Sequence, residues 1–354
     1  MSKNIPFPIL HVGGTHYEIG IQVGRQFKKL IRKAMLKSPF YIGLKLMDSM
    51  NPKWFNELQS YAEKFYPQYV DEMRGIADGA KMKYRDIAIV NFRHSIKLEI
   101  PKTECSTLVF KEDDKIILGH NEDHERTIRD YSYILFVKYD KGPTIFTYCY
   151  PGCIPGNSVS FSSHGIIMTG NALQDPDLKT GLPKGLLDHA MAEAETIDDA
   201  VKICQTSGRS GGYSYNLASQ YEQKAVNVET TSTLSGITLV NDKYYRTNHY
   251  ISNDLEDIYT DNETNYRSIE RYKRGIELLP HAEKTTQGAI EILSDDKVFV
   301  AMSKMTDSPL GDVYGGTHFT SVFEISKKDI KLHFYPNIKN RENFIELTLK
   351  DLKI

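Results

Sequence analysis

Ile19, Val23, Phe27, Leu30, Ile31, Ala34 and Met35 recur at 3.6-residue spacing, with Lys28, Lys29, Arg32 and Lys33 mostly on the other face. That pattern predicts an amphipathic helix. Asn51-Pro52 reads as a helix start, an N-cap followed by proline at the first helical position, with Phe55, Leu58, Ala62 and Phe65 as its apolar stripe. Pro67 opens another helix carrying Met73, Ile76, Ala77 and Ala80, and Asp86 caps a short one through Ile87, Ile89 and Val90. The first hundred residues are therefore predicted to be mostly helical.

From Cys105 the period changes to two. Strands are predicted at 106–110, 115–120, 133–139, 144–149, 158–162 and 165–170, each bounded by Gly, Pro, Asp or Asn. Helical spacing returns near 186–194 and after Thr196-Ile197-Asp198-Asp199, a cap-like start. Further strands are predicted at 213–218, 225–230, 243–247 and 318–325. The alternation of helix-rich and strand-rich stretches implies helices covering two stacked antiparallel sheets, an α+β class. No repeat, low-complexity run or linker divides the chain, so one domain over 1–354 is expected.

The bulk properties narrow the function. The chain has 354 residues, with 46 acidic against 44 basic side chains and a net charge of −2. No basic block points to nucleic acid or an anionic membrane as partner. No apolar run of roughly 18 residues reads as a membrane helix, and the N-terminus lacks the apolar stretch of a signal peptide. A cytoplasmic protein is expected. Four cysteines (105, 149, 153, 204) are too sparse for a disulfide framework and read as free thiols.

Three places carry candidate chemistry. Cys105 lies among Thr103, Glu104, Ser106 and Thr107, so the thiol is expected at an accessible strand start. A thiol there needs activation, because the thiolate is the nucleophile. An α-amine, with an ordinary pKa near 8, is a suitable base if cleavage creates one at the same residue. The second place is Gly119-His120-Asn121-Glu122-Asp123-His124-Glu125. Its two histidines lack the helix that a zincin site needs, so no metal is assigned. A charged turn is expected, with Asp123 organising the nucleophile and His120 and His124 as substrate contacts. The third is Tyr245-Arg246-Thr247-Asn248-His249, where a strand end presents a side-chain amide to an oxyanion. Gly13-Gly14, Gly20 and Gly24 do not form a phosphate loop and read as packing positions. No cofactor is expected.

In order along the chain these pieces resemble the acyl-coenzyme A:6-aminopenicillanic acid acyltransferase family of the N-terminal-nucleophile hydrolase superfamily. The likeness begins with Gly14-x-x-x-Glu18-Ile19-Gly20 and the stretch Tyr69–Ala80, followed by Asp86-Ile87 and Asn91. It continues through Cys105-Ser106-Thr107, Gly119-x-Asn121-x-Asp123 and Thr247-Asn248-His249. The resemblance implies a four-layer αββα fold and self-cleavage between Glu104 and Cys105. Residues 1–104 and 105–354 would stay associated, with self-association of the processed chains. It also implies catalysis by Cys105, Asp123 and Asn248 on a linear amide of a small acylated amine, amino acid or peptide-like molecule, through a thioester. An acyltransferase passing the group to an amine, and an unprocessed small-molecule binding protein, are the alternatives.

Two departures bear on this. Glu104 stands where family members often carry glycine, at a steric cost to any strained positive-φ backbone. The late region 311–319 has no arginine for carboxylate recognition, and His318 is the substitute expected there.

Overall fold

The computed structural model describes residues 6–96, 105–255, 258, 262–297 and 316–352. The Glu104 half of the expected cleavage site lies outside the described residues. The N-terminal part holds β1 (Ile9–Gly14), α1 (His16–Lys37), α2 (Pro39–Met50), α3 (Pro52–Phe65), α4 (Pro67–Ala80) and α5 (Tyr84–Asn91). Then follow β2 (Ser106–Lys111), β3 (Lys115–His124), α6 (Arg126–Tyr131), β4 (Tyr133–Tyr139) and β5 (Thr144–Cys149). The middle comprises β6 (Ser160–Ser162), β7 (Ile166–Ala172), α7 (Lys184–Glu193), α8 (Ile197–Cys204), β8 (Tyr213–Ser219) and β9 (Lys224–Thr230). The chain continues with β10 (Ser235–Leu239), β11 (Lys243–Arg246), α9 (Asn262–Leu278) and α10 (Thr286–Leu293). It closes with β12 (Gly316–Ser326), β13 (Ile330–Tyr335) and β14 (Ile345–Thr348).

Two sheets face each other. One has eight strands in the order β1-β4-β5-β6-β7-β8-β9-β10, the other six in the order β11-β2-β3-β12-β13-β14. Rings from both interdigitate, with Tyr148 of β5 and Phe319 of β12 at 4.5 Å and Phe161 of β6 and Phe323 of β12 at 6.0 Å between centroids. Helices α1, α7 and α8 pack on the larger sheet, and α9 and α10 on the smaller. The layers are helix, sheet, sheet, helix, as the αββα expectation has it. Among the described residues no helix is long and apolar enough to cross a membrane.

The α1–α4 contact sets the first layer. A Cβ on Gly20 would fall 2.2 Å from the Glu72 carbonyl oxygen, and one on Gly75 2.2 Å from that of Tyr17. Gly24 and Gly79 repeat the arrangement one turn on. The two helices therefore meet backbone to backbone, and the packing reading of Gly20 and Gly24 holds.

Several expectations need correction. The sheets are antiparallel except where β1 pairs in parallel with β4, Ile9 opposite Ile134 through Gly14 opposite Tyr139. Neither β1 nor α2 was predicted. The cap of α5 is Lys83, with Asp86 inside the first turn. The turn expected after Gly119 is instead strand: β3 runs on to His124 because β12 pairs with it along its whole length, from Lys115–Ser326 to His124–Gly316. That continuation turns 120–124 into sheet and buries His120, Glu122, Asp123 and His124.

Candidate active site

Cys105 is the residue immediately before β2, and β2 pairs with β3 so that Ser106 faces Asn121. The register carries Glu122 and Asp123 to the level of Cys105. Each polar atom of Cys105 has its own partner. The backbone N–H donates to Asn248 Oδ1 at 2.8 Å. The carbonyl accepts from Arg271 Nη1 at 2.9 Å. The Asp123 backbone N–H donates to the sulphur.

The thiol is not accessible as the sequence implied: Cys105 is 1% exposed. Burial pushes its pKa well above the usual thiol value, and the Glu122 and Asp123 carboxylates push it further. The Asp123 N–H and the Arg271 guanidinium oppose this without winning. Reactive cysteines ordinarily show a lowered pKa. Here the shift favours the protonated thiol, so a nucleophilic role for this sulphur would need a base beside it.

Asn248 follows β11, and an ion pair fixes it. Arg246 and Glu229 are both fully buried and lie 2.7 Å apart. Glu229 also accepts the N–H groups of Ile251 and Ser252, while Arg246 Nη2 donates to the His249 carbonyl. These bonds clamp the 246–252 segment from both sides. Glu229→Ala is expected to cost about 3–5 kcal/mol by leaving Arg246 buried and unpaired, read as a lowered midpoint in urea unfolding. Asn248 N–H donates to Ser268 Oγ at 2.7 Å and Asn248 Nδ2 to the Ala172 carbonyl at 3.0 Å.

Sequence reasoning missed Arg271. It is 7% exposed and donates to Ser106 Oγ at 2.7 Å and to Asn248 Oδ1 at 2.9 Å, besides the Cys105 carbonyl. It enters the site from α9, whereas of the late region 311–319 only residues 316–319 are among those described. The available signal was Ser268 and Arg271, three apart and so on one helical face. Both touch Asn248.

The other expected residues divide into two groups. His120 stays beside Cys105, with a nitrogen, the Cys105 sulphur and a Glu122 oxygen within 4.8 Å of one another. Its Nε2 is 3.0 Å from Glu122 Oε2 and its Nδ1 2.8 Å from Thr107 Oγ1. Burial pushes the Glu122 carboxyl up, yet His120, Tyr150 and Ser158 together hold it below the usual range. His124 and His318 lie further off, against Tyr150 with ring centroids at 5.0 and 6.0 Å. His318 Nε2 donates to the Glu125 carbonyl at 2.9 Å, and its Nδ1 accepts from Tyr148 O–H. Burial pushes His318 down to about 4 and His124 well below its ordinary value, so both are neutral. A cleft passes Ser106, Asn121, Asp123, Arg271 and Thr317, and neither of these two histidines lines it.

Residues 109–338 match the family of acyl-coenzyme A:6-aminopenicillanic acid acyl-transferases. The chain belongs to this family. The acyl-transferase match takes in Asp123, Asn248 and Arg271 and begins four residues after Cys105. Among curated relatives, the β-alanyl-dopamine/carcinine hydrolase of Drosophila melanogaster is 27% identical over 223 residues, 57% of this chain and 58% of that protein's length. The 40 kDa form of the acyl-coenzyme A:6-aminopenicillanic-acid acyltransferase of Emericella nidulans is 26% identical over 256 residues, 69% of this chain and 70% of that one. Two solved structures are similar. The Caenorhabditis elegans ortholog of N-acylethanolamine-hydrolyzing acid amidase has a TM-score of 0.42 at 14% identity, covering 69% of this chain and 98% of that one. A mutant of the conjugated bile acid hydrolase of Clostridium perfringens has a TM-score of 0.45 at 12% identity, covering 70% and 93%.

Proposed function

We propose that this protein is a self-processing amide hydrolase whose nucleophile is the Cys105 thiol. One observation carries the reading: the site is organised around a cysteine's backbone nitrogen as much as around its sulphur. Asn248 Oδ1 holds that nitrogen and Arg271 the adjoining carbonyl. A buried backbone N–H is paired in almost any protein, but here its partner is a side-chain amide oxygen brought from 143 residues away, one that can hold a free amine equally well.

Maturation then runs as follows. The Cys105 sulphur attacks the Glu104 carbonyl carbon, and the thiol proton passes to the Cys105 nitrogen as the Glu104–Cys105 C–N bond breaks. The resulting thioester is hydrolysed by water to a Glu104 carboxylate and a free thiol. Before any α-amine exists, His120 and Glu122 lie beside the sulphur. In turnover the α-amine takes the thiol proton while the sulphur attacks the substrate amide. It returns the proton to the leaving amine, and water releases the acyl group. Asn248 holds the amine through Oδ1 and offers its second Nδ2 hydrogen to the oxyanion. Asp123 keeps the amine and sulphur in place, and Arg271 fixes Asn248 and the Cys105 carbonyl. The substrate is a linear amide of a small acylated amine, amino acid or peptide-like molecule.

The Drosophila relative's name makes β-alanyl-dopamine and carcinine the first substrates to try. Freshly purified protein incubated with each is expected to release β-alanine and free amine, with water outcompeting added amine for the acyl group. Faster trapping by the added amine would make the protein an acyltransferase on the same thioester. A single uncut chain that turns over no amide would overturn the reading in favour of a binding protein.

A further inference from the structure

A second cluster of titratable side chains lies in the outer helical layer, and the nucleophile makes no use of it. His16 opens α1, Glu72 comes from α4, and His189 and Glu193 are four residues apart on α7 and so share one face. His189 Nε2 is 3.3 Å from Glu193 Oε1, and His16 Nε2 is 3.8 Å from the same oxygen. One donor atom from each of His16, His189 and Glu193 lies within 4.8 Å of the other two. Glu72 Oε2 closes the group, 2.8 Å from His16 Nδ1 and 3.9 Å from His189 Nε2.

We propose that His16, His189 and Glu193 bind one divalent transition-metal ion of the zinc type, with Glu72 as the carboxylate that orients His16. Two imidazoles and a carboxylate are a donor set suited to zinc, nickel, copper or ferrous iron and ill suited to magnesium or calcium. Bonds of about 2.0–2.2 Å from a common ion place neighbouring donors roughly 3.3–3.6 Å apart, and both histidine nitrogens lie near that range from Glu193 Oε1, at 3.3 and 3.8 Å. His16 Nδ1–H donating to Glu72 fixes the tautomer and leaves the Nε2 lone pair for the metal, the carboxylate–histidine–metal arrangement. Glu193 Oε2 is committed to Tyr69 O–H at 2.6 Å, which leaves Oε1 for the ion. Tyr139 O–H donates to Glu72, so the orienting carboxylate is itself held.

Charge supports the same assignment. Two carboxylates and two neutral imidazoles carry −2 and are balanced by a divalent ion. Without one, Glu72, 1% exposed, depends on a proton shared with its histidines. His16 and Glu193, 19% and 20% exposed, provide the entry path.

The consequence depends on the cleavage proposed above, although the metal site itself does not. His16 and Glu72 precede Cys105, whereas His189 and Glu193 follow it. A bound ion would tie the two pieces of a cut chain together across their interface.

The test is calorimetric titration of dialysed full-length protein with Zn2+ alone, run on wild type, His16→Gln, Glu193→Gln and Cys105→Ala. One equivalent is expected to bind to wild type and to Cys105→Ala, and at least 100-fold more weakly to the other two. Zn2+ should also raise the melting temperature of wild type and leave that of His16→Gln and Glu193→Gln unchanged. The partly exposed positions of both residues keep these variants folded, as their melting curves check. Cys105→Ala serves twice. It removes the other His, Cys and Glu cluster as the source of binding, and it keeps the chain uncut, so a failure of cleavage cannot pass for a failure of the site. No binding by wild type, equal binding by all four proteins, or loss only in Cys105→Ala would overturn the assignment.

Discussion

Cys105→Ala is expected to leave the chain whole and to reduce amide turnover to background. Denaturing intact-mass spectrometry on fresh wild type should show two fragments meeting between Glu104 and Cys105, with only the full mass in the variant. The size of the effect follows from the sulphur's surroundings. Its pKa is raised by burial and then by Glu122 and Asp123, so no reserve of thiolate exists to be supplemented by another group. The three remaining cysteines are also buried, and none lies in the 246–252 segment or on β3, so none can replace it. The same pKa shift predicts slow alkylation. With the folded thiol titrating above the usual range, iodoacetamide modification of native Cys105 should lag behind a free thiol near pH 8 and accelerate as pH rises past it. Fragments in the Cys105→Ala sample would remove the nucleophile from the assignment altogether.

Asn248→Ala is expected to slow amide turnover by about 10²–10³-fold, the range typical for loss of an oxyanion donor. The side chain has two separable duties. Oδ1 accepts from the Cys105 nitrogen and from Arg271, while Nδ2 is the donor side. Asn248→Asp keeps an acceptor and loses the donor. If the oxyanion role dominates, the aspartate variant falls as far as alanine in single-turnover measurements. If holding the nitrogen dominates, much of the rate returns. An unchanged rate in Asn248→Ala would take the residue out of the site. Arg271→Ala should slow turnover as well, since Arg271 holds both the Cys105 carbonyl and Asn248 Oδ1.

How much of this was legible in the sequence depended on where the information sat. That Cys105, Asp123 and Asn248 lie together was legible because each stands at or near an end of a run whose period-two pattern is local, and because their order along the chain is distinctive. The strands 133–139 and 144–149 were read to the residue for the same reason. Arg271 was not found: α9 is largely polar, and only tertiary packing turns its Ser268–Arg271 face toward Asn248. The extent of β3 was misjudged because 120–125 is rich in charge, and the sequence says nothing of β12 arriving nearly 200 residues later to bury it. The edge strands β1 and β14 are short and owe their existence to partners they cannot announce, β4 and β13.

The parallel pairing of β1 with β4 has a consequence for reversibility. In the intact chain, β1 finds its partner by closing a loop of more than 100 residues, an entropic cost that grows only slowly with length. A cut before Cys105 lies inside that loop. Once cut, the same strand and the glycine seam of α1 and α4 must be recovered by collision between separate molecules. Refolding after heating would change from first order to second order, and the yield recovered would depend on protein concentration in the cut protein but not in Cys105→Ala. The mature protein would keep its shape through slow unfolding, having given up the covalent connection that let it fold the first time.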